Sequence, residues 1–392
     1  MIMNIPNKAL IPALVLCGLP FVVQAEDAPA TPERNASLKM EIERSIAKGV
    51  EYLKSVQAAD GTWSEPGFPA LTSLPLRAVA GDPNRKKGEP MPDWAKKGYA
   101  WLLTTQQADG GFYVKGLGSY NTAISMMALL AANDPAYHEA ILKARVYLVG
   151  QQHDFGEKGK TDNALDGGIG YGSKPVPDLS NTTIALEALA KTRKLFEDRG
   201  DKQAAELDWD AAIKFISRSQ NLPESNDQAW AQSADAENTG GFIYSPNESK
   251  AGEVIQPGGQ KGQRSYGSMS YAGLLSMIYA EVKPDDARVK AAREWLARNY
   301  TVKENPNMGA EGLFYYYHTM AKALTAAQVD KLDVPKATGP VDWKKDLSVR
   351  LFNLQKSNGS WANDESKRWM EDDPALVTAY ALLTLEHIYY SL

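Results

Sequence analysis

A short segment that recurs along the chain limits the possible folds more than any other feature. It reads YLKSVQAADGTW at 52–63, WLLTTQQADGGF at 101–112 and RLFNLQKSNGSW at 350–361. Each copy carries a leucine, a glutamine, an Asp-Gly or Asn-Gly pair and an aromatic residue at matching positions. Because Asp-Gly and Asn-Gly provide the positive φ that tight turns need, each copy joins an amphipathic helix to a turn. Such spaced self-similarity indicates a repeat protein.

Six units can be traced, each made of a helix, a glycine-containing turn and a second helix. A glutamine recurs in five units and a tyrosine replaces it in the fifth: Gln57, Gln106, Gln152, Gln220, Tyr300 and Gln355. Each second helix opens at a hydroxyl residue, which suits an N-cap or first turn: Thr72, Thr122, Thr182, Ser270, Thr319 and Thr378. The first helices have a polar face, whereas the second helices are apolar nearly all round. We therefore expect an outer and an inner layer.

The six helical hairpins predict an all-α protein, an (α/α)6 toroid with inner and outer helix layers. An open solenoid is the alternative. Closure is favoured because the last helix is apolar and lacks the polar face that caps an open repeat array. No convincing alternating strand pattern is present, so only short ribbons are expected beside the helices.

The N-terminal residues are predicted to be a targeting signal. Lys8 precedes an apolar run over 9–23, and small residues stand where a signal peptidase cuts after Ala25. The run is short and is broken by Pro12 and Pro20, which argues against a membrane anchor. We expect a signal peptide at 1–25, a polar tail at 26–40, a single toroid domain at 41–392, and a periplasmic or secreted protein.

Composition excludes several kinds of site. Cleavage after Ala25 removes Cys17, the single cysteine, so no disulfide, thiol nucleophile or cysteine metal ligand is expected. It also removes Lys8, which moves the formal charge from −5 to −6 and leaves no basic surface for nucleic acid. No second hydrophobic span follows, so the mature chain is expected to lack a membrane-spanning helix.

Four polar segments rich in Gly, Pro or Asn interrupt the units, at 82–92, 154–177, 222–264 and 330–341. In a ring these segments must lie at the rims. The segment 222–264 is longer than an ordinary connection, which makes it a candidate lid. A disordered insert without function is the alternative.

The repeated turns resemble those of squalene-hopene cyclases and protein prenyltransferase β subunits. The Gln-x-x-Asp/Asn-Gly-x-Trp/Phe pattern is similar to the QW repeats of that superfamily, and the resemblance covers nearly the whole mature chain. It implies the α/α-toroid fold, a structural role for Gln106 and Phe112, and an apolar, isoprenoid-type ligand in a central cavity. It says little about the reaction, because one scaffold hosts many functions.

The related cyclases carry a catalytic acid in an Asp-x-Asp-Asp-Thr motif at the start of an inner helix. The matching segment here is Asp178-Leu179-Ser180-Asn181-Thr182, in which Ser180 takes the place of the proton donor. An alcohol is too weak an acid to protonate an alkene, which needs a neutral, polarised carboxylic acid. Asp178 stays a catalytic candidate, and the alternative is that Asp178 and Asn181 cap the helix.

Two other positions could carry acid–base chemistry. Glu371, Asp372 and Asp373 precede the last inner helix, and their mutual repulsion is expected to raise the pKa of at least one of them. An acidic flank favoured by the helix dipole is the alternative. His318 is the best general-base candidate, against a histidine bonded within the core. The mature chain offers no cysteine, and no second histidine lies near His318 in the sequence, so we expect no zinc site, other metal or cofactor.

If the inner helices share one direction, their first turns surround one mouth of the cavity. The predicted catalytic residues there are His318, Asp373 and Asp178, and the predicted ligand-binding residues are Tyr120, Asn121, Asn181, Arg264, Tyr266, Met269 and Tyr317. Helix N-termini suit an anionic or polyhydroxyl ligand, while aromatic walls are typical of ligand pockets. The alternative is that these tyrosines and the methionine simply fill the barrel.

Three functions remain open at this point. The first is an exported terpenoid cyclase- or prenyltransferase-like protein that binds or transforms an isoprenoid-type ligand. The second is a polysaccharide lyase or hydrolase, because several such families use α/α toroids and because Arg264, His318 and Asp373 suit proton abstraction. The third is a non-catalytic binding scaffold. The expected partner is a small molecule or a glycan in the mouth of the toroid.

Overall fold

Outer and inner helices alternate along the chain, as the repeats predict. The computed structural model describes residues 35–86, 88–172, 176–197, 206–256 and 258–392. The outer helices are α1 (Ala36–Ser55), α3 (Asp93–Thr104), α5 (His138–Val149), α7 (Trp209–Arg218), α9 (Ala287–Arg298) and α11 (Trp343–Leu354). The inner helices are α2 (Ala70–Gly81), α4 (Gly118–Ala131), α6 (Leu179–Glu197), α8 (Gly267–Tyr279), α10 (Leu313–Ala326) and α12 (Pro374–Ser391). Short 3₁₀ helices cover Pro135–Tyr137, Ala229–Ala231 and Arg368–Met370.

The inner helices form a closed ring. Each packs against the next one along the chain, from α2 to α12, and α12 in turn packs against α2. The inner helices are buried on nearly all sides, which explains why their sequences lack a polar face. The predicted toroid is therefore confirmed, and the open solenoid is wrong.

The ring closes where the sixth unit meets the first. The amide of Gln355 donates to the carbonyl of Ser45 in α1 at 2.9 Å. Gly359 lies so close to α1 that a Cβ there would stand 2.4 Å from the carbonyl oxygen of Lys48. Tyr389 Oη donates to Glu43 Oε1 at 2.6 Å. The chain ends are thus joined by the same kind of contact that joins neighbouring units.

The recurring glutamines connect each unit to the next. Each side-chain amide donates to a glycine carbonyl of its own turn, at 2.9–3.1 Å, and to a carbonyl at the next outer helix, at 2.8–3.0 Å. In the fifth unit Tyr300 takes over, with its hydroxyl 3.4 Å from Asp346 Oδ2 on α11. One side chain therefore fixes both the turn and the position of the following helix.

The hydroxyl residues of the inner helices hold the turns rather than cap the helices. The helices begin earlier than predicted, so that Thr72 is the third residue of α2 and Thr319 the seventh of α10. In five units the hydroxyl oxygen accepts the backbone N–H of the residue after the turn, as Thr122 does from Phe112 at 2.9 Å. Thr72, Thr182 and Ser270 lie in the first turn, which is one of the two predicted positions. None of the six is an N-cap, because five of them bind the neighbouring turn instead.

In the described residues, the segment 222–264 is hydrogen-bonded to itself and also to helices α6, α7, α8 and α9. It contains an antiparallel ribbon of β1 (Glu253–Ile255) and β2 (Lys261–Gln263), with Val254 opposite Gly262. Trp230 Nε1 donates to the carbonyl of Pro246 at 2.7 Å, and Trp295 Nε1 of α9 donates to that of Glu237 at 2.7 Å.

The predicted signal peptide at 1–25 lies outside the described residues, as does most of the predicted tail. Helix α1 begins at Ala36, inside the segment expected to be a polar tail up to residue 40. Among the described residues, no helix is long and apolar enough to span a bilayer.

Candidate functional site

A pocket opens at the end of the ring where the inner helices begin. Its volume is about 220 Å³. All six inner helices contribute side chains from their first two turns: Leu71, Tyr120, Ser180, Ser268, Met269, Tyr315, Leu376 and Tyr380. The remaining walls come from the connecting segments: Phe68, Leu117, Tyr171, Tyr244, Tyr266, Trp369, Met370 and Glu371. The closed ring thus creates a hole that no single repeat could form.

The lining is largely aromatic, and its tyrosines are neutral. The rings of Tyr315 and Tyr380 meet edge to face at 6.1 Å between centroids, and those of Tyr120 and Tyr171 lie 6.3 Å apart. Burial raises the pKa of Tyr120 to about 12 and that of Tyr380 well above its usual value. These phenols keep their protons at physiological pH, because a phenolate in an apolar wall would be poorly solvated.

Four hydroxyl groups in the pocket form two pairs. The hydroxyls of Tyr120 and Tyr380 lie 3.3 Å apart, and those of Ser180 and Tyr315 lie 3.0 Å apart. Tyr120 and Tyr380 belong to α4 and α12, and Ser180 and Tyr315 belong to α6 and α10, so each pair connects two inner helices that are separated by a third. Ser180 thus lines the pocket as a hydrogen-bonding alcohol.

Asp178 lies behind the pocket wall. It is buried, and its carboxylate accepts the Asn181 N–H at 2.9 Å and the Asn181 side-chain amide at 2.7 Å. Burial raises its pKa to about 6, against the effect of hydrogen bonds from Asn181 and the Tyr244 hydroxyl. Asp178 and Asn181 thus form the start of α6, and Asp178 reaches the pocket only through Tyr244.

Glu371 is the only carboxylate among the described lining residues. Its oxygens accept the Tyr315 N–H at 2.9 Å and the Asn363 side-chain amide at 2.7 Å. Its pKa is raised, but the main cause is burial and not the expected repulsion by Asp372 and Asp373. Glu371 caps the first turn of α10, and Asp373 caps α12 by accepting the Ala375 N–H at 2.9 Å.

His318 lies beneath the pocket and does not line it. Its ring centroid is 5.7 Å from that of Tyr380 and 5.7 Å from that of His387. Burial and the nearby Lys322 hold its pKa well below the usual value, so the imidazole is neutral. A neutral buried histidine below the aromatic wall has no direct path to a ligand in the pocket.

A buried ion network lies deeper in the ring. Arg77 Nη2 is 2.9 Å from Glu187 Oε1, and Lys322 contacts the other Glu187 oxygen. Burial opposes ionisation of Glu187, but Lys322 and Arg77 together hold its pKa below the usual range. These charges connect α2, α6 and α10 across the ring.

The other predicted ligand-binding residues divide into two groups. Tyr120, Tyr266 and Met269 line the pocket. Asn121, Asn181, Arg264 and Tyr317 do not. Asn121 accepts the Ala70 N–H at 3.1 Å, and Tyr317 Oη donates to the carbonyl of Val302 at 2.6 Å. Arg264 lies next to β2, where its N–H donates to Gly252.

Comparisons with known proteins agree with this architecture. No protein-family model matches the sequence, and no curated protein matches it. Among solved structures, a type II terpene cyclase from Scytonema superposes with a TM-score of 0.54 at 13% identity, over 90% of this chain and 99% of that one. Protein geranylgeranyltransferase-I from Candida albicans reaches 0.53 at 13% identity, over 87% and 90%. A GH76 α-mannanase from Bacteroides thetaiotaomicron reaches 0.52 at 15% identity, over 89% and 96%.

The chain is an α/α toroid. At such low identity these likenesses show the fold, and the three proteins differ in what they do, so the toroid alone does not select a reaction.

Sequence reasoning missed several tyrosines that line the toroid's pocket. Tyr315 and Tyr380 lie in the first two turns of α10 and α12, and Tyr171 and Tyr244 lie in polar connecting segments. One signal could have found part of the lining. In four inner helices, the residue two positions before the recurring Ser or Thr lines the pocket. These residues are Tyr120, Ser180, Ser268 and Leu376.

Proposed function

We propose that this toroid binds an apolar, isoprenoid-type ligand in the pocket at the beginning of its inner helices. The observation that carries the proposal is the aromatic and aliphatic lining, to which all six inner helices contribute. Burial of apolar ligand surface there gains roughly 25 cal/mol per Å². The pocket's volume of about 220 Å³ is small beside the roughly 300–1,000 Å³ of typical ligand sites, which suits a short isoprenoid chain or one end of a longer one.

Two of the similar structures give this proposal its ligand class. The Scytonema type II terpene cyclase has been solved with geranylgeranyl dihydroxybenzoate as substrate. The Candida albicans geranylgeranyltransferase-I was solved with GGPP. Both ligands carry isoprenoid chains, and the aromatic pocket of this chain offers the same kind of surface to such a group.

The proposal is ligand binding rather than alkene protonation. Ser180 occupies the position of the proton donor in the related cyclases, and a serine hydroxyl does not protonate an alkene. Both oxygens of Glu371 accept hydrogen bonds from α10 and Asn363. Burial raises the pKa of Glu371, but these bonds hold both of its oxygens at the start of α10, and it lies outside the segment that matches the proton-donor motif.

A glycan-degrading toroid is less well supported. Glycoside hydrolysis generally uses two carboxylates on either side of the scissile bond. Glu371 is the single carboxylate among the described lining residues, while His318 and Asp373 face other parts of the fold. The tyrosine-rich wall alone suits a sugar as well as an isoprenoid, so both classes belong in the same binding experiment.

Calorimetric titration of the purified protein with farnesol tests the proposal. Met269→Arg places a charge in the wall of the pocket, and we expect at least a tenfold loss of affinity because binding would desolvate that charge. Met40→Arg is the matched control, since Met40 is 67% exposed on α1. Circular dichroism confirms that both variants fold. Absence of farnesol binding, together with binding of an oligosaccharide, would refute the proposal.

We also propose that the protein acts outside the cytoplasm. The support is the sequence of residues 1–25, with its basic start, apolar run and small residues before the cleavage point. N-terminal sequencing of protein from the periplasmic or culture fraction should begin at Glu26. Cytoplasmic protein that still begins at Met1 would contradict this.

A further inference from the structure

The paired hydroxyls of Tyr120 and Tyr380 leave one proton without an acceptor. A phenol hydroxyl donates one hydrogen bond, so two hydroxyls have two protons. Their contact at 3.3 Å uses one of these protons, whichever residue donates. Neither hydroxyl has another hydrogen-bond partner among the described residues. By contrast, the Tyr315 hydroxyl of the Ser180–Tyr315 pair also interacts with the side chain of Thr319, which offsets part of the rise in the pKa of Tyr315 that burial causes.

The spare proton lies at the inner end of the pocket. Tyr380 is the seventh residue of α12, two turns below the mouth, and its ring rests on His318. The side chain of Tyr380 is 7% exposed, and Tyr120 beside it also lines the pocket. Burial raises the pKa of Tyr120 to about 12, so both phenols remain donors near neutral pH.

A pure hydrocarbon in this pocket would separate the spare proton from water. A buried donor without an acceptor costs about as much as a lost hydrogen bond, whereas a ligand oxygen would satisfy it. Tyr171 and Tyr244 do not compete for that oxygen, because they hydrogen-bond with each other and with Asn181 and Asp178. The Tyr266 hydroxyl is a further donor in the lining without a partner among the described residues, and the Tyr120–Tyr380 double variant separates its contribution from that of the pair.

We infer that the ligand is an oxygenated isoprenoid, whose alcohol, ether or carbonyl oxygen accepts the spare proton of the Tyr120–Tyr380 pair. The inference rests on the proposed function and narrows it to a class of ligand. It runs against hydrophobicity alone, which would make a hydrocarbon bind more tightly than its alcohol.

Three probes of similar carbon skeleton separate the possibilities in the wild-type protein. Farnesol has an oxygen and a proton, farnesyl methyl ether has only the oxygen, and farnesene has neither. We expect farnesol and its methyl ether to bind within about threefold of each other, and farnesene to bind roughly tenfold more weakly.

Equal or tighter binding of farnesene would overturn the inference and leave the proposed function standing. Binding of farnesol without its ether would also overturn it, because the ligand would then be the donor. Failure of all three to bind would refute the proposed function itself.

Variants test whether the preference for farnesol over farnesene comes from the hydroxyls of Tyr120 and Tyr380. Tyr120→Phe leaves the proton of Tyr380, and Tyr380→Phe leaves that of Tyr120, so each single variant should keep the preference for farnesol over farnesene within about twofold. The double variant Tyr120→Phe/Tyr380→Phe has neither proton and should lose the preference. Tyr271→Phe is the matched control, because the buried Tyr271 hydroxyl has no partner among the described residues and does not line the pocket. A double variant that keeps the full preference would overturn the assignment.

Discussion

At the scale of single residues, the burial of Asp178 makes the stability of the folded protein depend on pH. Its pKa is raised to about 6, mainly because burial disfavours the charged form. The folded protein therefore holds this proton more tightly than the unfolded chain does. The resulting stability is fully present below the ordinary aspartate pKa and is lost as the pH rises through about 6.

Asp178→Asn should remove this dependence, since an amide does not titrate in that range. The free energy of unfolding of the wild type minus that of the variant should fall by on the order of 2–3 kcal/mol between pH 4 and pH 7.5. Urea unfolding of both proteins at each pH measures it. A difference that stays constant across this range would show that Asp178 is not protonated in the folded state near pH 4.

At the scale of elements, the glutamine of each repeat holds two neighbouring units together. Gln106 donates to the carbonyls of Gly110 and of Ala140 on the next outer helix. Gln106→Met keeps the size of the side chain but loses both bonds, so we expect a loss of about 1–2 kcal/mol in unfolding free energy.

The adjacent Gln107 is exposed, and its side chain bonds only within its own turn, at Thr105 and Tyr113. Gln107→Met is therefore the matched control and should cost a few tenths of a kcal/mol. Equal losses in the two variants would contradict the proposed role.

The same repeats explain why the fold was predictable while half of the site was not. Glutamine, Asp-Gly and hydroxyl positions recur because each unit repeats one set of local contacts, and local contacts leave a pattern in sequence. The pocket has no such pattern. Tyr244 and Trp369 come from different connecting segments, and only closure of the ring brings them together. His318 was misleading for a related reason: it is on the right helix, but one turn too deep.

At the scale of the whole molecule, closure makes the sixth unit a neighbour of the first. Lys39 Nζ lies 5.6 Å from the centre of the Tyr389 ring, so the two ends of the described domain are close together. A closed ring has no unique first unit, and a short linker between such ends is compatible with circular permutation. In an open solenoid the terminal units would be far apart and would each need a polar cap.

A permutant that joins Leu392 to Ala36 through a Gly/Ser linker, and opens in the exposed segment near Gly339, should therefore fold. We expect a single cooperative thermal transition within about 5 °C of the linear domain, because all the contacts between units are kept and only one exposed connection is lost. The pocket should keep its affinity for farnesol, since no lining residue lies near the new ends. A matched permutant opened at Gly273, inside the buried helix α8, should not fold, because the cut removes an inner wall of the ring. If the first permutant failed as completely as the second, the contacts between units six and one would not be sufficient to close the ring, and the closed toroid would depend on the order in which its units are connected.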